Sequence, residues 1–297
     1  KWKPREEEPR AKMSVTAFSK YLACPFRYYL ERVVGMGVPE PERAEWNHRD
    51  FGSIMHDVLE QWGRDPVARD SADSAEIEAW TLKELDDLVE RHFGDTLPLA
   101  VSLQVEAMRL RLGWFAGVQA RTRQDGWRVI EVEKDFELMI EGVTVTGQVD
   151  RIDEHENGDI RVLDYKTSKT ATEVEKAHKK GFRNDPPEHL QNEFVLAPDG
   201  KTWTNLQVPF YAAALGKVDE AGYFAIGEDA LNVKIMNWDG FGGEEKASAL
   251  KCAEWIVRQV RDQIFWPPAE KVMYDDFESL AYGRPLADSI LWKGGAA

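Results

Sequence analysis

Hydrophobic positions along this chain follow the spacing of helices at both ends and the spacing of strands in the middle. Apolar residues recur every three or four positions in the stretches predicted as helices: about 14–33, 50–63, 75–93, 98–123, 204–215 and 244–265. Alternating patterns and short apolar runs predict strands: 127–140, two strands within 143–167, 222–226 and 231–236. Helices, then a mostly antiparallel sheet, then helices again indicate a single α/β domain.

The segment 143–167 has the pattern of a tight hairpin, because Asn157-Gly158 is a strong turn signal. Strict alternation puts Asp150 on the polar face of its strand, and it puts Asp164 and Lys166 on one face of the return strand. A three-residue loop at 156–158 places Asp150 directly opposite Asp164, with Cβ atoms roughly 4.5 to 5.5 Å apart. A two-residue loop would separate the carboxylates onto opposite faces unless a bulge restored the phase.

Two facing carboxylates repel each other unless a cation lies between them. The strand that carries Asp164 is largely apolar over 160–163, which predicts a buried sheet where an unpaired carboxylate is costly. The pattern therefore favours a divalent metal site of the kind used in phosphodiester cleavage. A solvated ion pair between the strands is the alternative interpretation.

Five segments, in order along the chain, resemble the PD-(D/E)XK nucleases, in the branch that contains the RecB and AddB nuclease domains. The hairpin reads G-Q-V-D-R-I-D and then V-L-D-Y-K-T, and similar segments are found at 14–36, 51–60, 206–215 and 264–268. The resemblance implies an α/β fold of the restriction-endonuclease type, with a central mixed sheet flanked by helices and an N-terminal helical portion. It implies a metal-dependent DNA nuclease, expected to be an exonuclease, in a helicase-nuclease repair or recombination protein. A noncatalytic DNA-binding or protein-docking module of the same fold is the alternative.

By this resemblance, the expected ligands of one or two Mg²⁺ or Mn²⁺ ions are His56, Asp150, Asp164 and the carbonyl group of Tyr165. The expected catalytic residues are Asp150, Asp164, Lys166, Gln207 and Tyr211. From the pattern alone, His56 lies at the edge of a buried helix stripe with Gly52 one turn earlier, so a structural histidine is also consistent. Gln207 and Tyr211 share a helix face, which packing alone would also explain.

The chain contains two cysteines, Cys24 and Cys252. Relatives with an iron-sulfur cluster place one cysteine at the position of Cys24, and a cluster of this kind needs four thiolates. We therefore predict no iron-sulfur cluster, and we expect Cys24 to be a small buried residue.

The net charge of −15 opposes DNA binding at first sight, but local charge differs from net charge. Residues 176–183 are basic and lie in a long polar segment, 170–202, which we expect to overlie the DNA path. Lys179, Lys180 and Arg183 are the predicted phosphate contacts. A solvated basic face is the alternative, and an acidic surface would also suit docking to another protein. Arg27 lies among aromatic residues that could stack on bases, but the pattern favours a role in the helix core.

Residues 1–12 are charged and proline-containing, and we interpret them as a linker from a longer polypeptide, followed by a nuclease domain at 13–297. No apolar run approaches the roughly 18 residues of a membrane span, and the first residues lack the apolar stretch of a signal peptide. The expected location is therefore the cytoplasm. The expected partners are DNA and a helicase domain or subunit, with no membrane.

Overall fold

The computed structural model of the chain describes residues 11–37, 45–94 and 96–270, together with positions 4, 272, 277, 278 and 286. The α-helices in the described residues are α1 Val15–Ala23, α2 Pro25–Tyr28, α3 His48–Arg64, α4 Ser74–Phe93, α5 Leu99–Gln124, α6 Val174–His178, α7 Gln207–Leu215 and α8 Gly243–Arg261. The strands are β1 Lys12–Ser14, β2 Trp127–Ile140, β3 Val143–His155, β4 Ile160–Lys166, β5 Lys179–Lys180, β6 Thr202–Trp203, β7 Glu220–Ile226 and β8 Val233–Asn237.

The central sheet is mixed, as expected. Within the described residues it has six strands: β1, β3, β4, β7 and β8 follow one another, and β2 pairs with β3. The β1/β3 and β4/β7 pairs are parallel, and the remaining pairs are antiparallel. The parallel β4/β7 pair requires a long crossover, which contains α6, a small β5/β6 sheet and α7. The active-site candidates on β4 and α7 therefore lie before the crossover and within its last part.

Helices cover both faces of the sheet, because neighbouring strand residues pack into two different hydrophobic clusters. Val162 and Tyr223 belong to the cluster that includes residues of α1, α2, α7 and α8. Leu163 and Phe224 belong to the other, which includes residues of α3, α4 and α5. The sheet is thus sandwiched between two helical layers, as in a mixed α/β fold.

The predicted helices and strands are present, with one difference near the start. The single helix expected over 14–33 is interrupted at Cys24, whose φ of −168° and ψ of 112° are extended. Pro25 disfavours a helical conformation of the residue before it and then begins α2. A π-helical turn, Tyr29–Val33, completes the segment.

The polar segment 170–202 is a packed insertion rather than an open loop. Val174, Leu190 and Val195 are buried in the same cluster as residues of α7 and α8. The segment also contains α6 and β5, and β6 begins at its end. We call residues 168–206 the insertion from here on.

The predicted linker 1–12 lies outside the described residues, except for positions 4, 11 and 12. Lys12 is already part of the sheet, where it pairs with Thr144 of β3. No helix in the described ranges is both long and apolar enough to cross a membrane.

Candidate active site

The candidate site lies where β3 and β4 separate. Four consecutive residue pairs, from Glu154 with Ile160 to Arg151 with Leu163, confirm the predicted register, which extrapolates to Asp150 opposite Asp164. Backbone pairing stops there, and the Asp150 carboxylate instead accepts the N–H of Tyr165 at 2.9 Å. Asp150 is therefore held at the point of divergence by its own side chain.

The strict alternation predicted for β3 is interrupted at Asp150. Val149 and Ile152 pack into the same cluster although they are three residues apart, so the strand changes phase between them. Asp150 is only 9% exposed and does not lie on a solvated polar face. Because of this change of phase, the Asp150 carboxylate points into the protein interior.

The base of the hairpin is held by a buried ionic network. Asp153 accepts hydrogen bonds from Arg151 at 2.6 and 3.1 Å and from Arg161 at 2.8 and 3.3 Å. Arg151 also donates to Gln119 of α5 at 2.8 Å. Removal of one partner from such a network leaves an uncompensated buried charge, so the network favours one arrangement of the two strands.

Glu133 of β2 is a candidate ligand that the sequence pattern did not single out. Its carboxylate, a nitrogen of His56 and a carboxylate oxygen of Asp150 lie within 4.8 Å of one another. Glu133 lies between the pairs Val132/Arg151 and Lys134/Val149, directly across from Asp150. Its φ of +47° is unusual for a residue other than glycine.

A turn signal in the sequence could have identified Glu133. Glu141 and Gly142 form a two-residue turn with φ of 49° and 78°, as a type I′ hairpin requires. The turn pairs Ile140 with Val143. Counting back along β2 from this pair puts Glu133 opposite Asp150. In the sequence alone, Glu133 is one of several acids in a strand that looks solvated.

His56 projects from α3 toward the same point. Its Nε2 lies 3.1 Å from the Tyr165 carbonyl oxygen, and its Nδ1 lies 3.5 Å from Asp150 Oδ2. The close approach of α3 to the end of β4 depends on Gly52, since a Cβ atom there would lie 3.3 Å from Thr167 Oγ1. The space beside Gly52 is therefore occupied by Thr167, the residue that follows β4.

Asp164, Lys166, Gln207 and Tyr211 are linked in one series of contacts. Gln207 Nε2 donates to Tyr211 Oη at 2.6 Å, and Tyr211 Oη donates to Asp164 Oδ1 at 3.1 Å. Lys166 Nζ lies 2.5 Å from Asp164 Oδ2. The structure thus brings the α7 pair to the same carboxylate that the β4 lysine contacts.

Burial and the neighbouring charges shift the pKa values of the site residues. Burial, with the Asp164 carboxylate as a second cause, raises the pKa of Asp150 well above its usual value. Burial, with Glu60 next, raises the pKa of Glu133 to about 7. Burial lowers the pKa of Lys166, but the Asp164 carboxylate outweighs it and leaves the pKa above its usual value. Three charged carboxylates are therefore unfavourable beside this one ammonium group.

Two observations indicate that a cation fits here. Asp164 Oδ2 is buried beside the Lys166 ammonium group, and within the described part of the chain it accepts no hydrogen bond of good geometry. Burial outweighs the Asp164 charge and lowers the pKa of His56, which favours neutral imidazole. Because a carbonyl oxygen only accepts, the Tyr165 contact assigns the proton to Nε2 and leaves the Nδ1 lone pair facing Asp150. Nitrogen and carboxylate lone pairs that converge in this way are suitable metal ligands.

The four predicted DNA contacts differ in accessibility. Lys179 is 5% exposed, contacts Glu175 and Asp199 at 3.4 and 3.1 Å, and lies near the rings of Trp203 and Trp238. The prediction that it contacts phosphate is therefore wrong for this conformation.

Arg27 is also buried, at 8% exposure, and it donates to the Ala269 carbonyl at 2.8 Å. These contacts support the alternative role in the helix core. Lys180 and Arg183 are exposed on the insertion, so their DNA contacts stay a prediction.

A family model described as the PD-(D/E)XK nuclease superfamily matches residues 12–264, which is most of the chain. The chain belongs to this superfamily. The match begins at β1 and extends past the end of α8, so it includes the entire central sheet and the candidate site.

Several curated relatives of this PD-(D/E)XK chain are each named as a subunit of an ATP-dependent helicase/deoxyribonuclease. The protein from Acetivibrio thermocellus is 25% identical over 179 residues, covering 52% of this chain and 15% of the relative. The protein from Clostridium tetani is 27% identical over 180 residues, covering 53% and 15%. The protein from Lactococcus lactis subsp. cremoris is 23% identical over 260 residues, covering 82% and 22%. The chain thus matches less than a quarter of the length of these relatives.

Cys24, at the position that we compared with an iron-sulfur ligand, makes structural hydrogen bonds through its sulfur atom. Its Sγ accepts the N–H groups of Arg27 at 3.4 Å and of Ala269 at 3.3 Å. It caps the start of α2 and joins that helix to the segment after α8.

Proposed function

We propose that the chain is the nuclease domain of a helicase-nuclease protein and that it hydrolyses DNA phosphodiester bonds with Mg²⁺ or Mn²⁺. One observation carries the proposal: an imidazole, three carboxylates and an ammonium group meet where β3 and β4 separate. The names of the relatives support the helicase context. Because the chain matches only 15% to 22% of their length, a helicase domain or subunit is the proposed partner.

His56, Glu133, Asp150 and Asp164 are the proposed ligands, and the Tyr165 carbonyl oxygen has a second lone pair available beside its contact with His56. When bound, a divalent cation supplies activation of water and stabilisation of negative charge on phosphate oxygens. Lys166 has the charge to stabilise a phosphate oxygen or to orient the attacking water. Tyr211, held by Gln207, orients the Asp164 carboxylate through its hydroxyl group.

A noncatalytic module of the same fold is the second candidate. A chain with that role has no need to keep both Asp150 and Asp164 together with Lys166, whereas this chain keeps all three in mutual reach. The intact set therefore favours catalysis. We further propose that Lys180 and Arg183 contact phosphate, that the domain spans 13–297, and that it acts on DNA in the cytoplasm.

Digestion of labelled DNA tests the proposal. End-labelled linear DNA and closed circular DNA, single- and double-stranded, are incubated with the chain in Mn²⁺, Mg²⁺ or EDTA. A Lys166→Gln variant, which keeps all the carboxylates, is the matched control. We expect the unmodified chain to degrade linear DNA with metal, to spare closed circles as an exonuclease does, and to be inactive in EDTA. Binding without cleavage under every condition would instead support the noncatalytic module.

A further inference from the structure

A series of buried contacts connects the Lys166 ammonium group to the insertion. Lys166 Nζ lies 5.1 Å from the centroid of the Tyr223 ring, on β7. The Tyr223 hydroxyl oxygen lies 3.1 Å from Nδ1 of His178, the last residue of α6 in the insertion. Tyr223 is 2% exposed and His178 is fully buried. Neither residue has a role in the proposed metal site.

The strand register explains why Tyr223 is beside the lysine. The parallel β4/β7 pair matches Asp164 with Tyr223, so the two side chains project from the same face on adjacent strands. Lys166 lies two residues beyond Asp164 on that face. A lysine ammonium within about 6 Å of an aromatic centroid is attracted to the negative face of the ring, most strongly when water is excluded.

We propose that Tyr223 is a positioning residue for Lys166, because the face of its ring holds the ammonium group beside Asp164. His178 holds the ring in turn through the hydroxyl group. The inference rests on the proposed nuclease function, in which Lys166 acts on the phosphate or on the water. In this proposal β7 and the insertion contribute to catalysis indirectly. They position Lys166 and supply no metal ligand themselves.

The contacts of His178 define a single orientation of its ring. Nδ1 lies 2.9 Å from the Val174 carbonyl oxygen, which only accepts, so Nδ1 carries the proton and shares it between this carbonyl and the Tyr223 hydroxyl oxygen at 3.1 Å. Nε2 accepts the N–H of Val208 at 3.4 Å. Burial lowers the pKa of His178 to about 4, which keeps the imidazole neutral. Val208 lies in the first turn of α7, the helix that carries Tyr211. His178 therefore joins the insertion to the two elements that contact Asp164 and Lys166.

Graded fluorination of the ring tests the attraction without changing its shape much. The series consists of four variants of the full chain. The first is Tyr223→Phe, and the other three carry phenylalanine with one, two or three ring fluorines at position 223. Each fluorine withdraws charge from the ring face. We expect kcat for DNA cleavage to fall stepwise, by about tenfold over the series. We expect the KM for DNA and the rise in Tm with Mn²⁺ to stay unchanged, because Tyr223 contacts neither.

Tyr21→Phe is the matched control, since it removes another buried tyrosine hydroxyl, which donates to the Ile264 carbonyl at 2.7 Å. A kcat that is constant across the fluorine series would overturn the role of Tyr223 and leave the proposed function standing. A rise in KM at constant kcat, or a loss of Tm that parallels the loss of kcat, would also overturn it. Absence of cleavage by the unmodified chain would overturn the nuclease function, and this inference with it.

Discussion

Glu133 shows how one residue can be placed by backbone strain. The left-handed conformation costs a residue with a Cβ atom about 1 to 2 kcal/mol, and Glu133 adopts it at φ +47°. The pairs on either side, Val132 with Arg151 and Lys134 with Val149, keep β2 in register across it. Strained residues of this kind are concentrated at functional sites. The strain directs a carboxylate toward His56 and Asp150.

We predict that Glu133→Gln weakens metal binding while the fold is retained. An amide is a weaker ligand for a hard cation than a carboxylate. In the unmodified chain, Mn²⁺ at 100 times its Kd adds about 2.7 kcal/mol of stability. A tenfold weaker Kd lowers that gain by about 1.4 kcal/mol. Thermal unfolding with and without Mn²⁺ measures the difference.

Glu131→Gln is the control for this experiment, because Glu131 is on the same strand but pairs with Lys134 at the surface. It is expected to leave the Mn²⁺-dependent rise in Tm unchanged. If both variants respond to Mn²⁺ as the unmodified chain does, Glu133 is not a ligand.

At the scale of elements, the packing of α3 against the end of β4 decides the position of His56. The contact of Gly52 with Thr167 allows the helix to approach. A Cβ atom alone would need a shift of only a few tenths of an ångström, but a branched side chain at this position needs more space between α3 and Thr167. We expect that change to carry His56, one turn later, away from Asp150.

We therefore predict that Gly52→Val weakens Mn²⁺ binding by at least about tenfold, or about 1.4 kcal/mol. Part of this loss should be recovered in a Gly52→Val, Thr167→Ala double variant, because the second change removes the obstructing Oγ1 atom. Isothermal titration with Mn²⁺ on the unmodified chain, the two single variants and the double variant completes a double-mutant cycle. Strictly additive effects would mean that Thr167 is not the obstacle.

The insertion is a second element whose lysines serve different purposes. We predict that Lys180→Ala with Arg183→Ala weakens DNA binding and reduces its salt dependence by roughly two units of slope on duplex DNA. Both side chains are exposed, so the fold should not change. Affinity measured over a range of salt concentrations gives the slope.

Lys179→Ala is the contrasting control for the insertion, since its ammonium group is buried between Glu175 and Asp199. It should lower the free energy of unfolding by roughly 2 kcal/mol and leave the salt slope unaltered. An unchanged slope in the Lys180 and Arg183 variant would direct the search for the DNA surface elsewhere.

For the whole molecule, the site lies between two hydrophobic layers, and its charge opposes folding. α3 packs in one cluster and carries His56, while α7 packs in the other and carries Tyr211. His56 reaches the Asp150 carboxylate and Tyr211 reaches the Asp164 carboxylate, which lie on the adjacent strands β3 and β4. In a chain of net charge −15, a concentrated acidic centre is a stability cost that the metal would offset.

We predict that Asp164→Asn abolishes DNA cleavage, with a loss of at least about 100-fold, and leaves the metal-free Tm little changed. The substitution breaks the contact with Lys166, but it also relieves the repulsion between Asp150 and Asp164. The amide oxygen can still accept from Tyr211, and one charge that raises the pKa of Asp150 is removed. Cleavage assays and thermal unfolding in EDTA test the two parts separately. Undiminished cleavage would remove Asp164 from the proposed centre, and a large drop in Tm would give it a structural role instead.

Local pattern by itself determined much of this protein. The spacing of apolar residues predicted the helices on both sides of the sheet, and the Asn157-Gly158 turn predicted the register that puts Asp150 opposite Asp164. These features depend on contacts between residues close in sequence, which a periodic pattern records directly. The order and spelling of five segments also carry the resemblance to the superfamily.

Only the tertiary structure decided which charged groups meet and which are buried. Glu133 lies at the site because β2 pairs with β3 and because its own φ is positive. Tyr223 lies beside Lys166 because β7 pairs with β4 after a long crossover. Lys179 is buried because the insertion packs around it. In sequence, each looks like an ordinary strand or surface residue. Burial and charge contacts depend on neighbours distant along the chain, so a local pattern does not contain them.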